Sequence, residues 1–313
     1  MSTPLTQDFN DDYEFQIDLQ GLIKLLARNL YPTADVFVRE MLQNAHDSIQ
    51  KRQTLQKDNP CKGKIQVKIN REAATITIAD NGVGMTAQEV REYLATIGRS
   101  GTAEFRQRED VVALIGQFGI GLLSAFIVAD RVVIETQSYQ LEHPTLRWES
   151  DGGKTYNLQP IEKKEVGTTV TLHTSKDYRD MLMKNKLQEA IRKYADFLPI
   201  GIYLNDDEGP SNTMNAPWHK HYADAEEELR VRDVKNFVFK RFNDIALAII
   251  PINMSEPYPI QGVMYVSENR SLPVGMVDIY QKRMFVMEAN RDILPAWAKF
   301  IRGVIDSPAL TPA

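Results

Sequence analysis

The stretch VFVREMLQNAHDSIQ, residues 36–50, decides how the rest of the chain is read. At about 100° per residue, Glu40, Asn44 and Asp47 fall within roughly a 60° sector of a helix. Val38, Leu42, Ala45 and Ile49 fall on the opposite side. The spacing predicts a helix from about Asp35 to Leu55 with one face on a sheet and the other presenting two carboxylates and an amide. Taken alone, such a polar triplet is an ordinary solvated helix face. With a ligand against it, Asn44 can offer an amide oxygen to Mg²⁺, a hard cation that prefers oxygen. Glu40 can act as general base on a water. Asp47 can hold pocket waters or the sugar of a nucleotide.

Downstream, Ile65, Val67 and Ile69 alternate with polar residues over Lys64 to Asn70, and Ile76 and Ile78 do so over Thr75 to Ala79. The short polar link between them predicts an antiparallel hairpin. Asp80 stands at its end, followed by Gly82 and Gly84 in DNGVGMT, residues 80–86. An Asp in that place is usually a turn residue or cap. The two glycines let the backbone approach a flat ligand. An ionised Asp80 only accepts hydrogen bonds, and the exocyclic amino group of adenine donates them. Thr86 and Glu89 then have the spacing of a capping box at the start of a helix.

A second glycine loop runs Gly116-Gln117-Phe118-Gly119-Ile120-Gly121, ahead of a helix predicted over Leu122 to Ala129. Its amides and the positive helix end can cradle phosphates. It is not a Walker loop, since no Gly-Lys-Ser/Thr follows, and its glycine order is not that of a Rossmann turn. Between the loops, Gly98 to Asp110 is polar and aperiodic, which predicts a mobile loop. Upstream, Phe15 to Tyr31 reads as a strand entering a helix that Pro32 breaks. Strands are expected near Arg131 to Thr136, Thr145 to Glu149 and Thr168 to His173, with a helix over Lys186 to Asp196. Asn205 to Pro217, rich in Asn, Asp, Gly and Pro, is the best linker in the chain. Beyond it come a charged helix (Ala223 to Arg241), strands near 245–252, 261–266 and 284–287, and a helix from Pro295 to Val304.

The bulk properties limit the functional classes. The chain has 313 residues, enough for two domains, and a net charge of −5, so no global basic field points to nucleic acid. The single cysteine, Cys61, fits a reducing cytoplasm. The N-terminus shows no basic start followed by an apolar run, so no signal peptide is expected. The longest strongly apolar stretch is far short of a membrane span. The five histidines have no zinc-like helical pairing.

Taken together and in order, Glu40-x₃-Asn44, Asp80-x-Gly82-x-Gly84, the glycine loop and Gly167-Thr168 resemble the GHKL ATPase superfamily. Within it the chain resembles the heat-shock protein 90 family. The matches are REMLQNAHD (39–47), DNGVGMT (80–86), IGRSGT (97–102) and IGQFGIGLLSAF (115–126), with IYQKRMFV (279–286) and FIRGVIDS (300–307) resembling that family's middle domain. The resemblance covers nearly the whole chain, weakly from about 210 to 260.

It implies a two-layer α/β sandwich with a mostly antiparallel sheet, the left-handed βαβ Bergerat fold, over residues 1–208. The first part of an α/β middle domain would follow over 209–313. It implies an ATP-driven molecular chaperone acting on client proteins. By motif position Glu40 is the general base and Asn44 coordinates Mg²⁺. Asp80 binds the adenine amino group, with Thr168 in the same water network, and Gly84 and Met85 line the base pocket. Gly116 to Gly121 wrap the phosphates, Arg99 and Ser100 lie near them, and the segment from about Gly98 to Ile115 is the lid. Asp47 and Gly82 complete the nucleotide set.

Tyr93 and Arg99 stand where the family usually has Asn and Lys, and Arg for Lys changes the geometry of the charge. The absence of a long acidic linker points to the bacterial, HtpG-type branch. The γ-phosphate arginine and the dimerisation domain of the family have no counterpart before Ala313. The expectation is therefore a fragment, monomeric or weakly dimeric, that binds ATP and hydrolyses it poorly, from a homodimeric whole.

The competing readings are a DNA-directed GHKL ATPase of the mismatch-repair or topoisomerase kind, a nucleotide switch without hydrolysis, and a sensor histidine kinase. The lid and glycine-loop segments favour the chaperone over the first, and Glu40 argues against the second. The third lacks room upstream for a phospho-acceptor domain. Trp148, Trp218 and Trp297 are expected to be packing residues, His46 a bystander in its helix, Cys61 incidental and Arg283 structural or solvated.

Overall fold

Alternation and helical periodicity produce two sheets with helices packed against them. The structure is a computed structural model and describes residues 21, 33–58, 60–94, 121–220, 222, 226–269 and 275–309. The expected strand and helix before Pro32, the loop over 98–110 and the glycine loop up to Ile120 lie outside those residues.

Helix α1 (Val36–Leu55) forms where the periodicity places it. Its apolar side is fully covered, with Phe37, Leu42 and Ile49 each 0% exposed. Strands β1 (Lys64–Asn70) and β2 (Thr75–Asp80) pair antiparallel from Ile65↔Asp80 to Asn70↔Thr75. Thr86 caps α2 (Ala87–Tyr93) through the expected capping box with Glu89. After Gly121 the chain makes one 3₁₀ turn (Gly121–Ser124) and a four-residue helix, α3 (Ala125–Val128). The predicted eight-residue helix is therefore shorter, and a single α turn carries little of a helix dipole.

Strands β3 (Ala129–Gln137), β4 (Leu146–Ser150) and β6 (Gly167–Thr174) follow the predicted pattern. The four-residue strands β5 (Asn157–Pro160) and β7 (Gly201–Leu204) were not expected. Helix α4 (Lys184–Ala195) lies between β6 and β7. The seven-stranded sheet runs β5-β4-β3-β6-β2-β1-β7, antiparallel throughout except for β1 beside β7.

Helices α1 and α4 pack on each other and on this sheet. Charges on β3 and β4 instead pair laterally, with Arg131 on Glu149 at 3.0 Å and Arg147 between Glu135 at 3.3 Å and Glu149 at 3.0 Å. A ladder of partly exposed ion pairs marks a solvated sheet surface, as in a two-layer α/β sandwich.

The second sheet runs β11-β10-β12-β9-β8. It contains β8 (Ala246–Met254), β9 (Ile260–Ser267), β10 (Met276–Gln281), β11 (Met284–Asn290) and β12 (Ile301–Asp306), and is reached through α5 (Glu227–Phe242). The helix expected from Pro295 to Val304 is not there. A turn carries 295–300, and β12 runs parallel to β10 and antiparallel to β9. Trp297, Phe300, Ile301 and Val304 mimic a helical stripe. In the sheet, Ile301 and Ile305 share one face and Arg302 and Val304 the other, the period of a strand. Trp297 is 71% exposed, so its expected packing role is also overturned. Trp148 is buried, and Trp218 packs against Phe197 and Phe237.

The stretch from Asn205 to Pro217 is irregular but anchored. The Asn212 amide oxygen accepts from Ile202 N at 3.0 Å, and its nitrogen donates to Leu198 O and Ile200 O. Tyr280, Met284, Phe285 and Val304 of the second sheet belong to the same buried apolar cluster as α1 and α4. Among the described residues, no helix is long and apolar enough to cross a membrane.

Candidate functional site

One face of α1 carries the site, and two loops are fitted to it. Glu40 is partly exposed, and its Oε1 accepts from Arg39 Nε at 3.0 Å and Nη2 at 2.7 Å. Asn44, a turn further on, is exposed. The end of the glycine loop meets both. A Cβ on Gly121 would lie 2.9 Å from Glu40 Oε2 and 3.7 Å from Asn44 Nδ2. Asp47 is 2% exposed, beside the ring of His46, whose Nδ1 lies 3.4 Å from Asp47 Oδ1.

The other end of the same face meets the Asp80 loop. Asp80 Oδ1 accepts from Ser48 Oγ at 3.2 Å and from Gly82 N at 2.7 Å. Gly82 is needed because a Cβ there would come within 2.1 Å of Ser48 Oγ. Gly84 adopts φ +66°, and a Cβ would lie 1.9 Å from the Gln137 carbonyl oxygen, so the loop runs flush against β3. Three elements hold the loop. Arg52 Nη1 donates to Asn81 O at 2.8 Å, Asn81 Oδ1 accepts from Lys64 N at 2.8 Å, and Val83 O accepts from Tyr139 N at 2.8 Å.

Met85 N donates to Thr136 Oγ1 at 2.9 Å, and that hydroxyl lies 3.1 Å from Thr168 Oγ1. Thr168 is the register partner of Asp80 across β2 and β6. Gly167, with φ +138°, permits that approach, since a Cβ would sit 2.0 Å from Asp80 O.

Burial dominates the electrostatics of Asp80. It pushes the carboxyl from its ordinary value of 3.8 up to about 7, against the opposing pull of the Gly82, Ser48 and Thr168 hydrogen bonds and the Arg52 charge. Asp80 is thus poised near neutrality, an acceptor when ionised.

The structure brings Glu40, Asn44 and Gly121 together at one end of α1, and Asp80, Gly82, Gly84, Met85 and Thr168 together at the other. Arg99, Ser100, Gly116, Gln117, Phe118, Gly119 and Ile120 lie outside the described residues. Four further participants were not anticipated: Arg39, Ser48, Arg52 and Thr136. Ser48 had a signal, since it continues the i, i+4 series from Glu40 through Asn44. Thr136 had none, because only the register of β3 with β6 sets it opposite Thr168. Among the described residues, no three His, Cys, Asp or Glu side chains are grouped to hold a metal ion. The Asn44 amide oxygen and the Glu40 carboxylate beside it are oxygen donors of the kind that suits Mg²⁺, a cation that keeps several waters and is shared with phosphates.

Comparison with known proteins fits this geometry. Residues 33–178 match a family model described as histidine kinase-, DNA gyrase B-, and HSP90-like ATPase, and residues 263–311 match the Hsp90 protein family. The chaperone protein HtpG of Desulfitobacterium hafniense is 30% identical over 315 residues, 95% of this chain and 51% of that protein. The mitochondrial heat shock protein 75 kDa of Rattus norvegicus is 31% identical over 98% of this chain and 45% of its own length. HtpG of Chromobacterium violaceum is 33% identical over 94% of this chain and 51% of its own. The chain spans about half the length of the curated relatives it matches. With an ATPase-type site on α1 and a match to Hsp90 protein on the second sheet, the chain belongs to the heat-shock protein 90 family.

Proposed function

We propose that this protein is an ATP-dependent molecular chaperone. It binds Mg-ATP along α1, hydrolyses it, and uses the cycle to act on client proteins in the cytoplasm, as a homodimer in its working form. The observation that carries the reading is the two-ended helix face. From Glu40 to Ser48 is about 12 Å at 1.5 Å per residue. The base-recognition elements sit at one end and the acid, the amide and the last glycine of the phosphate loop at the other. A purine triphosphate laid along the helix has its chemically distinct ends matched in that order.

In this reading the residues of 1–208 form the nucleotide domain and those of 209–313 belong to the middle domain. Asp80 accepts from the adenine amino group, with Thr168 and Thr136 supplying hydroxyls beside it. Gly82, Gly84 and Met85 form the wall against the base. Asp47 supports the sugar side from within the helix. Gly116 to Gly121, with Arg99 and Ser100, enclose the phosphates. Asn44 holds Mg²⁺, which neutralises phosphate charge. Glu40 orients the attacking water and takes its proton. Arg39 holds Oε1 of Glu40, which fixes the orientation of the carboxylate and leaves Oε2, on the Gly121 side, for the water.

The test is calorimetric titration of Mg-ATP together with turnover, on wild type and Glu40→Ala. Retained binding with turnover reduced at least ~100-fold is expected from loss of a general base. Equal loss of binding and turnover would remove Glu40 from that role.

A further inference from the structure

We propose that Ser48 is a positioning residue for the purine end of the site: its hydroxyl, donated to Oδ1 of Asp80, holds the carboxylate so that Oδ2 is presented to the base. The inference rests on the nucleotide-binding reading above. Ser48 stands on the ligand face of α1, one turn beyond Asn44. Its Oγ lies 3.2 Å from Asp80 Oδ1 and 3.1 Å from Val83 N. Val83 N also donates to the carbonyl oxygen of Ser48 at 3.1 Å, so this amide keeps a partner without the hydroxyl. Bracing the loop therefore does not require a serine. What does require it is the second donor on Asp80 Oδ1.

With Gly82 N at 2.7 Å, two donors from two different elements converge on that one oxygen. Together they fix the torsion of the carboxylate, which in the proposed role turns Oδ2 to the base. The closeness of the contact depends on Gly82, where any Cβ would displace the Ser48 hydroxyl.

The same hydrogen bond favours the ionised acid. Burial drives Asp80 towards protonation, and the Ser48 hydroxyl, the Gly82 and Thr168 amides and the Arg52 cation oppose it. From α1 the charged neighbours in sequence are Asp47, Lys51 and Arg52, and Lys51 pairs with Glu89 at 3.6 Å. The register partners of Asp80, Ile65 on β1 and Thr168 on β6, are uncharged, as is Thr136 on β3. Removing the hydroxyl deletes one of few groups holding the charge. A protonated Asp80 carries a donor of its own and no longer pairs uniquely with a purine amino group.

Two measurements on wild type and Ser48→Ala test this. The first follows the carboxyl carbon of Asp80 by NMR through a pH titration of the ligand-free protein. Its midpoint is expected to rise by about 0.5–1 unit in the variant. The second is calorimetry with Mg-ATP from about pH 6 to 9, where protonation of the ligand cancels between proteins. From ionisation alone the variant is expected to bind ~2–5-fold more weakly at pH 7, a part that fades by pH 9 once both carboxylates are ionised, and a loss that remains at pH 9 reports the lost orientation of the carboxylate. Superimposed midpoints, or an affinity equal to that of wild type from pH 6 to 9, would overturn the inference and leave Ser48 a packing residue. If wild type failed to bind Mg-ATP at all, the nucleotide reading would fall with it. The ligand-free titration would still decide the Ser48–Asp80 contact.

Discussion

In its proposed role Asp80 accepts most strongly from a purine amino group when ionised, yet it sits where burial favours the neutral acid. Its folded value of about 7 against an ordinary 3.8 means the native state holds a proton that the unfolded chain releases above about pH 4. The folded form binds more protons through that window, so stability falls as pH rises from about 4 to about 7 and levels off above. The cost at pH 8 is on the order of 2–4 kcal/mol. Asp80→Asn removes it, and the amide oxygen can still accept from Ser48 and Gly82. Urea denaturation should therefore show the variant at least ~1 kcal/mol more stable than wild type at pH 8, with the gap closing near pH 4. Binding of Mg-ATP should fall at least ~30-fold, because an amide nitrogen would oppose the adenine amino group. A variant that lost stability and kept its affinity would contradict both the burial argument and the assignment to the base.

At the scale of elements, glycines show which contacts belong to the fold and which to the chemistry. At Gly84 a Cβ would meet a backbone oxygen at 1.9 Å in a left-handed conformation, and neither the strand nor the φ angle can yield cheaply. Gly84→Ala is expected to cost at least ~3 kcal/mol by chemical denaturation. At Gly121 the nearest atom is the far end of Glu40, 2.9 Å away, which can move. Gly121→Ala should stay within ~1 kcal/mol of wild type yet lose at least ~10-fold in turnover, since a displaced base is costly to catalysis. A loss of stability at Gly121 comparable to that at Gly84 would show that the loop end is structural.

The same scale explains what could be read in advance. Helix α1, the β1–β2 hairpin and the capping box are written in local periodicity and cap chemistry, so they were legible. Strands β5 and β7, four residues each, are too short to show a period and exist because neighbouring strands offer them partners. The segment from Pro295 to Val304 had apolar residues at both helical and strand spacing. Pairing with β9 and β10, invisible locally, decided for the strand. In the site, Glu40, Asn44 and Asp80 were legible by motif. Thr136 is set opposite Thr168 only by tertiary register, and Ser48 lies on the helical face of Glu40 and Asn44 but belongs to no motif.

Across the whole molecule, Phe197 joins the two sheets. It follows α4, is 2% exposed, and its ring lies 5.3 Å from Trp218, 5.8 Å from Phe237 and 5.1 Å from Tyr280. Nearby, Arg241 of α5 pairs with buried Asp278 of β10 at 3.0 Å and lies over the Phe285 ring. A shared apolar cluster of this kind lets stabilisation at the nucleotide site reach the second sheet, because unfolding one sheet strips cover from the other. Mg-ATP at 100 times its dissociation constant should add ~2.7 kcal/mol to the stability of the unit that binds it. If the sheets unfold together, amide exchange of β10 and β12 should slow along with that of β2 and β6. Phe197→Ala should cost ~3–5 kcal/mol by cavity formation. It should also confine the nucleotide-induced protection to the first sheet, with ATP affinity within ~2-fold of wild type, since its ring partners Trp218, Phe237 and Tyr280 are not site residues. Protection that stopped at the first sheet in the wild type would mean that the aromatic cluster joins the sheets in space without making them one cooperative unit.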